Sequence, residues 1–529
     1  MSGYILPRYC NRSASRICYH SCVRLCSFAL QQYAVQLEPY FSNSQSRSRI
    51  YNDVYSNKQS IVNIKKLCQW TQQQTRVFPR LKYRLDQERS CLKFCCTQQS
   101  VSVEPMATMT IDSPEFRSLF TPQLKKLAAM FKRHGYEIRM AGGAARDLLM
   151  GIRPHDIDLA TTATPEQIHD IFEAEGVRTF NVNGERHGTV SCRIDDAENF
   201  EVTTLRIDKV CDGRHAEVEF TTDWQKDANR RDLTINSMFL GLDGTIYDYF
   251  GGIRDVEKRR VAFVGDPDER MKEDYLRILR YFRFYGCIAR DPDAHEHETL
   301  EAIRRNVDGL KGISVERKWS ELKRILPGRF GGPVLRTMLL VGLGEILKFP
   351  ENPNIDRFEE VHNRAFPLKP DALTVLCSLF ETEDQIYDYT YEMKMSNAER
   401  ILAVFIVKNR GLFAETLPER RHKLLQDLYL DQGKSSPTLP VKTTTELAKY
   451  FGESSLAGHM DSWVPPECPV NGSVVILEGG ITKGPAVKRV LVKLFDAWKA
   501  SNYTLTKEQL LQMIDSDDFD KQIVSDLPS

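Results

Sequence analysis

The sequence predicts an α+β protein in which a small mixed α/β head precedes an all-helical remainder. Short segments with the alternation of strands are confined to the chain before about residue 264. Beyond Asp266 the apolar residues recur at helical spacing almost to Met513. No apolar stretch approaches the roughly 18 residues that a membrane span needs, so we expect no membrane partner.

The first hundred residues differ in charge from the rest of the chain. They hold 15 Lys and Arg against 4 Asp and Glu, whereas the whole chain has 72 of each. No acidic residue precedes Glu38, and arginines are interleaved with Ser, Cys and Leu. This composition is typical of a mitochondrial transit peptide. We therefore predict a transit peptide and disordered leader over 1–108, and a second, cytosolic or nuclear form starting near Met106 or Met109.

The main body is correspondingly acidic, so any RNA must be bound by local basic patches. Eight of the 13 cysteines lie at or before Cys96, and the other five are scattered singly. The scattered cysteines form no paired framework, which indicates a reducing compartment.

The head begins with a predicted helix. Ser113 and Pro114 are a typical cap and first residue, and the helix is expected to run through Phe131 to about Gly135. A strand over 136–141 should lead into a glycine pair and a second helix. Further strands are expected at 157–160, 188–194, 199–206 and 216–221, which completes a head over 109–264.

The glycine pair is the first feature that can carry chemistry. Gly142 and Gly143 stand between a predicted strand and helix, with Arg146 one turn later. Glycines allow the backbone to approach a phosphate closely, and a helix N-terminus offers unpaired N–H groups. Taken alone, such a turn is more often structural.

Two aspartates follow at the spacing of a strand. Asp156 and Asp158 should share one face of the strand, with Ile157 and Leu159 on the other. Two neighbouring carboxylates repel each other unless a cation lies between them, and Mg²⁺ takes few carboxylates plus substrate phosphates. The alternative is a pair of solvated surface aspartates.

A third carboxylate is available at Glu201, which alternates with apolar Phe200 and Val202 and can therefore face the same side as the aspartate pair. Three carboxylates on adjacent strands suit two Mg²⁺ ions about 4 Å apart that clamp an in-line phosphoryl displacement.

The segment 230–238 (RRDLTINSM) carries two arginines and an aspartate into a predicted amphipathic helix. Arg231 and Asp232 are suited to triphosphate oxygens and a ribose hydroxyl. The alternative is a solvated helix start, with Asp232 near the positive end of the dipole.

The segment 273–285 is predicted as one helix, on which Asp274, Arg277 and Tyr281 share a face. An aspartate can accept from the amino group that cytosine and adenine both carry, whereas uracil and guanine present a carbonyl oxygen there. Arg277 can donate to a ring nitrogen or carbonyl. The alternative is an ordinary ion pair between Asp274 and Arg277.

The order of these segments, GGAARD, DID, RRDLTINSM, EDYLRILRYFRF and SVERKWSELKRIL, resembles the class II CCA-adding enzymes. These are tRNA nucleotidyltransferases of the polymerase β superfamily. The resemblance covers the chain from about Met109 to Met513. It implies a nucleotidyltransferase head, a helical neck over 265–330, a body over 331–440 and a tail over 441–529.

The resemblance also implies roles for the residues named above. Mg²⁺ is expected on Asp156 and Asp158, with Glu201 as the third catalytic carboxylate. The expected nucleotide-binding residues are Gly142, Gly143, Arg146, Arg231, Asp232, Asp274, Arg277 and Arg280. Asp274 and Arg277 would act as a protein template for the base, and residues 212–214 would form a flexible segment. The expected substrates are CTP, ATP and a tRNA that lacks its 3′ CCA, without DNA; the oligomeric state stays open, with a homodimer as one alternative.

Two further patterns are ambiguous or negative. Lys483, Lys488 and Arg489 belong to a basic stretch that is either a tRNA backbone contact or a solvated helix face. His295 and His297 lack the spacing of a metalloprotease helix, so a solvated loop is expected there.

Two other functions compete with CCA addition. A bacterial-type poly(A) polymerase shares the carboxylates, and the segment 184–189 is the part that favours a CCA-adding enzyme over it. A catalytically inactive tRNA-binding protein would need none of the three carboxylates.

Overall fold

The computed structural model describes residues 105–180, 188–211, 216–433 and 438–514. Strands occur only up to Asp248, and every later element in these ranges is helical. The predicted α+β class is therefore confirmed. In the same ranges no helix is both long and apolar enough to cross a membrane. The predicted leader lies outside the described residues, apart from residues 105–108.

Eight strands form one mixed sheet, in the order β1-β10-β9-β2-β3-β6-β5-β4, and β7 pairs with β8 in a separate hairpin. In chain order, β1 to β10 are Ala107–Thr110, Ile138–Ala141, Asp158–Thr161, Arg178–Phe180, Thr189–Ile194, Glu198–Thr204, Arg206–Cys211, Ala216–Phe220, Phe239–Gly241 and Thr245–Asp248. The neighbours β3 and β6 run parallel, whereas the pairs around them are antiparallel.

The helices begin in the head, and within the described residues after it they form all of the regular structure. In chain order, α1 to α22 are Pro114–Arg117, Pro122–Arg133, Gly143–Leu149, Pro165–Ala174, Trp224–Asn229, Gly252–Lys258, Pro267–Glu273, Arg277–Ile288, His297–Asn306, Val315–Ile325, Gly331–Leu340, Leu343–Ile346, Ile355–Ala365, Ala372–Leu376, Glu383–Glu392, Asn397–Glu415, Pro418–Asp431, Thr438–Tyr450, Ser454–Ser462, Gly472–Leu477, Pro485–Ala500 and Lys507–Ile514.

The start of the head differs from the prediction in two ways. The expected single helix is two helices, because Thr121 caps a new helix at the N–H of Leu124 and Pro122 is its first residue. In addition, an unpredicted strand, β1, begins at Ala107, which pairs with Asp248 of β10.

One hydrophobic core runs from the head into the body. It includes Leu159 and Val202 of the sheet, Phe282 of α8 and Phe358 of α13. The end of the chain has a separate cluster around Trp498 of α21. The sheet and helix α8 therefore share one packed interior, which fixes the helix relative to the sheet.

Candidate active site

The parallel pairing of β3 and β6 builds the carboxylate part of the site. Asp158 is the register partner of Glu201, so both side chains project from the same face of the sheet. Both residues are exposed, whereas their neighbours Leu159 and Val202 are buried on the opposite face. The sequence predicted this shared face from alternation alone.

Asp156 lies just before the strand, not within it, since β3 begins at Asp158. The surrounding protein displaces water from the Asp158 carboxyl and so raises its pKa above the ordinary value; Arg231 opposes the rise, and the Asp156 carboxylate adds to it. The two aspartates therefore repel each other, as the sequence predicted. A bound cation would relieve that repulsion.

In the part of the chain that the structure describes, no three His, Cys, Asp or Glu side chains are arranged to hold a metal ion by themselves. A cation at Asp156 and Asp158 would therefore need further ligands besides these two carboxylates. Mg²⁺ is commonly bound in this way, because it keeps water and takes substrate phosphates as its other ligands. The chemistry of the site thus fits Mg²⁺.

The glycine turn lies against two arginines. Gly142 has φ +59°, and a Cβ there would lie 3.0 Å from Nη1 of Arg231. A Cβ at Gly143 would lie 3.4 Å from Nη2 of Arg146, which is an ordinary contact distance. Gly142 therefore allows the Arg231 guanidinium to approach the start of α3, and Arg146 lies beside Gly143.

Asp227, which the sequence analysis did not single out, holds both arginines of the 230–238 segment. Its buried carboxylate accepts from Nε of Arg230 at 2.8 Å and from Nη2 of Arg231 at 3.1 Å. Burial acts to raise the pKa of Asp227, but Arg231 and Arg230 outweigh it and keep the pKa below its ordinary value. The available signal was an acid three and four residues ahead of two arginines.

Asp232 connects this segment to the neck. It is buried, and its carboxylate accepts from Nε of Arg280 at 2.6 Å and from the N–H of Leu233 at 2.8 Å. Burial opposes ionisation, but Arg280 holds the pKa of Asp232 below its ordinary value. The expected amphipathic helix is wrong, because a 3₁₀ turn over Thr234–Asn236 and strand β9 follow instead.

The predicted single helix over 273–285 is also wrong. Helix α7 ends at Glu273, and α8 begins at Arg277. Asp274 is extended, with φ −154° and ψ 105°, and its Oδ1 accepts from the N–H of Leu276 at 3.1 Å. This local hydrogen bond competes with the helix, as aspartate side chains commonly do.

Asp274 and Arg277 are consequently held by different partners. Arg317 of α10 donates from Nη2 to Oδ2 of Asp274 at 2.9 Å. Arg277 is buried and donates to the carbonyl oxygens of Arg270 at 2.9 Å and Arg230 at 2.8 Å. It also pairs with the carboxylate of Glu273.

Tyr281 does not share a face with Asp274, because it is buried and stacked on Phe263 at 5.7 Å between ring centres. Its hydroxyl lies 2.9 Å from Nδ1 of His295. The expected solvated loop at His295 is therefore wrong. The imidazole stacks on Tyr285 at 3.6 Å, and burial lowers the pKa of His295 to about 4.

The basic residues near the C-terminus lie at the beginning of α21. Lys483 precedes the helix, and Lys488 and Arg489 lie within it. Both lysines are exposed, and Arg489 is half-buried. Residues 184–187 and 212–214, to which the sequence analysis gave roles, lie outside the described residues.

Comparison with known proteins identifies the class of this site. Residues 138–262 match the poly A polymerase head domain family. Residues 295–354 match a family described as a probable RNA and SrmB-binding site of polymerase A. Together with the carboxylates on one face of the sheet, these matches define a nucleotidyltransferase head followed by a helical extension.

The relatives narrow this class to one family. The chain is 48% identical over 408 residues to the mitochondrial CCA tRNA nucleotidyltransferase 1 of Mus musculus, which covers 77% of this chain and 93% of the mouse protein. The human protein of the same name is 47% identical over the same shares. The solved CCA-adding enzyme of Bacillus stearothermophilus, in complex with CTP, superposes with a TM-score of 0.61 at 25% identity and covers 78% of this chain and 99% of that one. The chain belongs to the CCA tRNA nucleotidyltransferases.

Proposed function

We propose that this enzyme adds C, C and A to the 3′ end of a tRNA, taking CTP and ATP and releasing diphosphate without a nucleic-acid template. The observation that carries the proposal is the register of Asp158 beside Glu201, with Asp156 next to them, in a chain of this family. The test is extension of a tRNA that lacks its CCA. The proposal requires three added nucleotides with CTP and ATP, and none with UTP or GTP.

Asp156 and Asp158 would hold Mg²⁺ in this reaction, with Glu201 as the third carboxylate. When bound, Mg²⁺ neutralises the charge of the triphosphate and favours in-line attack by the terminal hydroxyl of the tRNA. The exposed positions of the carboxylates leave one side open to substrate. Their mutual repulsion, which a cation relieves, supports this assignment.

The nucleotide would lie against the start of α3. Gly142 leaves room there for Arg231, and Arg146 lies beside Gly143; both guanidinium groups would pair with phosphate oxygens. Arg280 of α8, fixed by Asp232, would support the same phosphates. The chain itself thus provides positive charge that does not have to be reorganised when the nucleotide arrives.

Asp274 and Arg277 would select the base. Asp274 can accept from the amino group of cytosine or adenine, and it would repel the carbonyl oxygen of uracil or guanine. Among the described residues, Nε of Arg277 has no hydrogen-bond partner, so it is available to donate to the base. Because Arg317 and four other groups hold these two side chains, their donors and acceptors would already be oriented when the base arrives.

The tRNA would use further surfaces of the neck, body and tail, for which we propose the boundaries 265–330, 331–440 and 441–529. The exposed Lys483 and Lys488, with Arg489, would contact the phosphate backbone. Such contacts give affinity without sequence preference, which suits an enzyme that must accept every tRNA.

For location, the basic leader supports a mitochondrial enzyme, and the mouse and human relatives are named as mitochondrial. We further propose a cytosolic or nuclear form from an internal start. Met106 is the better start for such a form than Met109, because starting at Met109 removes Ala107 and Thr108 from the strand that pairs with β10.

A further inference from the structure

Asn236 connects the residues that the proposed function assigns to the nucleotide. It lies in the 3₁₀ turn between Asp232 and β9 and is only 7% exposed. Its Oδ1 accepts from Nη1 of Arg146 at 2.5 Å, and its Nδ2 donates to Oδ1 of Asp232 at 3.3 Å. A guanidinium can only donate and a carboxylate only accept, so these two partners fix the orientation of the amide.

The backbone of Asn236 contributes to the same arrangement. Its carbonyl oxygen accepts from Nη1 of Arg231 at 3.4 Å. The same oxygen would be 3.1 Å from a Cβ at Gly142, so a side chain at Gly142 would crowd it. One asparagine thus contacts both arginines at the start of α3.

The contacts continue from Asp232 into helix α8 and lead back to Arg146. Asp232 accepts from Nε of Arg280 at 2.6 Å. The guanidinium carbons of Arg280 and Arg146 lie 5.7 and 4.9 Å from the ring centre of the half-buried Phe284. At these distances a cation is attracted to the face of an aromatic ring. A closed ring of contacts therefore joins the head to α8, and its members are Arg146, Asn236, Asp232, Arg280 and Phe284.

We propose that Asn236 is a positioning residue for nucleotide binding, which holds Arg146 directly and Arg280 through Asp232. Asn236 acts through these arginines and does not touch the substrate. An arginine side chain has many rotamers, and a site that fixes them before binding avoids an entropic cost when the ligand arrives. The inference rests on the proposed function, because that function assigns Arg146 and Arg280 to the phosphates.

The competing explanation is that Asn236 is only a buried asparagine that stabilises the fold. Asn306 of α9 is a matched control for that explanation. It is 5% exposed, and its Nδ2 donates to Oδ1 of Asp268 at 2.6 Å and to the carbonyl oxygen of Ala302 at 2.8 Å. Like Asn236, it is a buried amide facing an aspartate, but its partners have no role at the nucleotide.

The experiment compares Asn236→Ala with Asn306→Ala in the full chain. Each change removes a buried amide and leaves an aspartate with one donor fewer, so both should lower the Tm. Only Asn236→Ala should raise KM for CTP and for ATP, by roughly tenfold, while kcat stays within about threefold, because Arg146 loses its acceptor and Asp232 loses a donor before the nucleotide binds. Unchanged KM values in Asn236→Ala, or an equal rise in Asn306→Ala, would overturn the inference.

A second variant keeps the inference testable if Asn236→Ala does not fold. Phe284→Leu retains apolar volume but removes the ring that Arg146 and Arg280 share, so it should raise the same KM values, by about threefold. If Phe284→Leu has the same KM values as the parent, this ring of contacts does not position the arginines.

Equilibrium binding of CTP in the absence of tRNA separates the two possible failures. If the parent binds CTP but does not extend tRNA, the proposed function is wrong, and the ratio of Kd values still tests Asn236. If the parent extends tRNA and the Asn236 variant binds CTP as tightly as the parent, only the inference is wrong.

Discussion

Arg317 donates to Asp274 across the break between α7 and α8, with 2.9 Å between Nη2 and Oδ2. Arg317 belongs to α10, which begins 41 positions after Asp274 in the printed sequence. The residue assigned to base selection is therefore oriented by a helix distant in sequence, and not by its neighbour Arg277. This relationship changes what should be mutated.

Replacing Asp274 by Ala should reduce discrimination of CTP over UTP, by roughly tenfold or more, because the acceptor for the amino group is lost. The measurement is kcat/KM for CTP, ATP, UTP and GTP on the same acceptor tRNA. Metal dependence should be unchanged, since the head carboxylates are untouched. A variant that excludes UTP as well as the parent does would place base selection elsewhere.

Replacing Arg317 by Ala should reduce the same discrimination less than Asp274→Ala does, because the carboxylate remains but is less firmly oriented. Arg305→Ala is the matched control. Arg305 lies on α9 and also pairs with an aspartate, Asp268, but that aspartate has no assigned role in base selection. Arg277→Ala should instead weaken both CTP and ATP use, because Arg277 donates to either base. Equal base selectivity in Arg317→Ala and Arg305→Ala would show that Arg317 does not orient Asp274.

Replacing Asp158 by Ala should lower kcat by at least roughly a hundredfold, because one of the two carboxylates that would hold Mg²⁺ is lost, and with it the positive charge that would stabilise the transferred group. Binding of tRNA, followed by filter retention, should be nearly unchanged, and Asp156→Ala should behave in the same way. Asp170→Ala, an exposed aspartate of α4, is the control for surface charge. Parent-like turnover by the Asp158 variant would remove the basis of the mechanism.

The sequence predicted those parts of the site that depend on local periodicity. Alternation placed Asp158 and Glu201 on one face, and the parallel register confirms that shared face. Periodicity could not reveal the break at Asp274, because the apolar spacing continues through it. The helix ends there because the N–H of Leu276 donates to the side chain of Asp274. Nor could periodicity find the partners of Asp274 and Asp232, which come from helices about 40 to 50 residues away.

His295 should make the stability of the fold depend on pH. Burial lowers its pKa to about 4, whereas the unfolded chain has the ordinary value of about 6.5. The unfolded chain therefore binds the proton first, so the stabilisation is complete above about pH 6.5 and is lost as the pH falls towards 4. Over that window the loss should be roughly 2 to 3 kcal/mol.

His295→Phe removes the titrating group while keeping a ring that can stack on Tyr285. Urea unfolding at several pH values should show a shallower loss of stability below pH 6.5 in the variant than in the parent. Since Tyr281 loses its partner, the variant should be less stable than the parent at neutral pH. Parallel pH profiles for the two proteins would contradict the assignment of a buried neutral imidazole.

The choice of internal start should affect both location and stability. The full chain should enter mitochondria, and versions beginning at Met106 or Met109 should not. The Met109 version should also have the lower Tm, by a few degrees, because it lacks two residues of strand β1. Localisation of tagged proteins and thermal unfolding check the two statements; equal distribution of all three versions would show that the leader does not direct import.

The most direct test of the proposed CCA addition is the length of the product on a tRNA that lacks its CCA. Purified protein and Mg²⁺ are incubated with CTP alone, with ATP alone and with both, and products are sized at single-nucleotide resolution. We expect two added nucleotides with CTP alone, three with CTP and ATP, and no further extension. A long tail from ATP alone would indicate a poly(A) polymerase, and no extension under any condition would indicate an inactive tRNA-binding protein. Either result would contradict the proposed CCA addition.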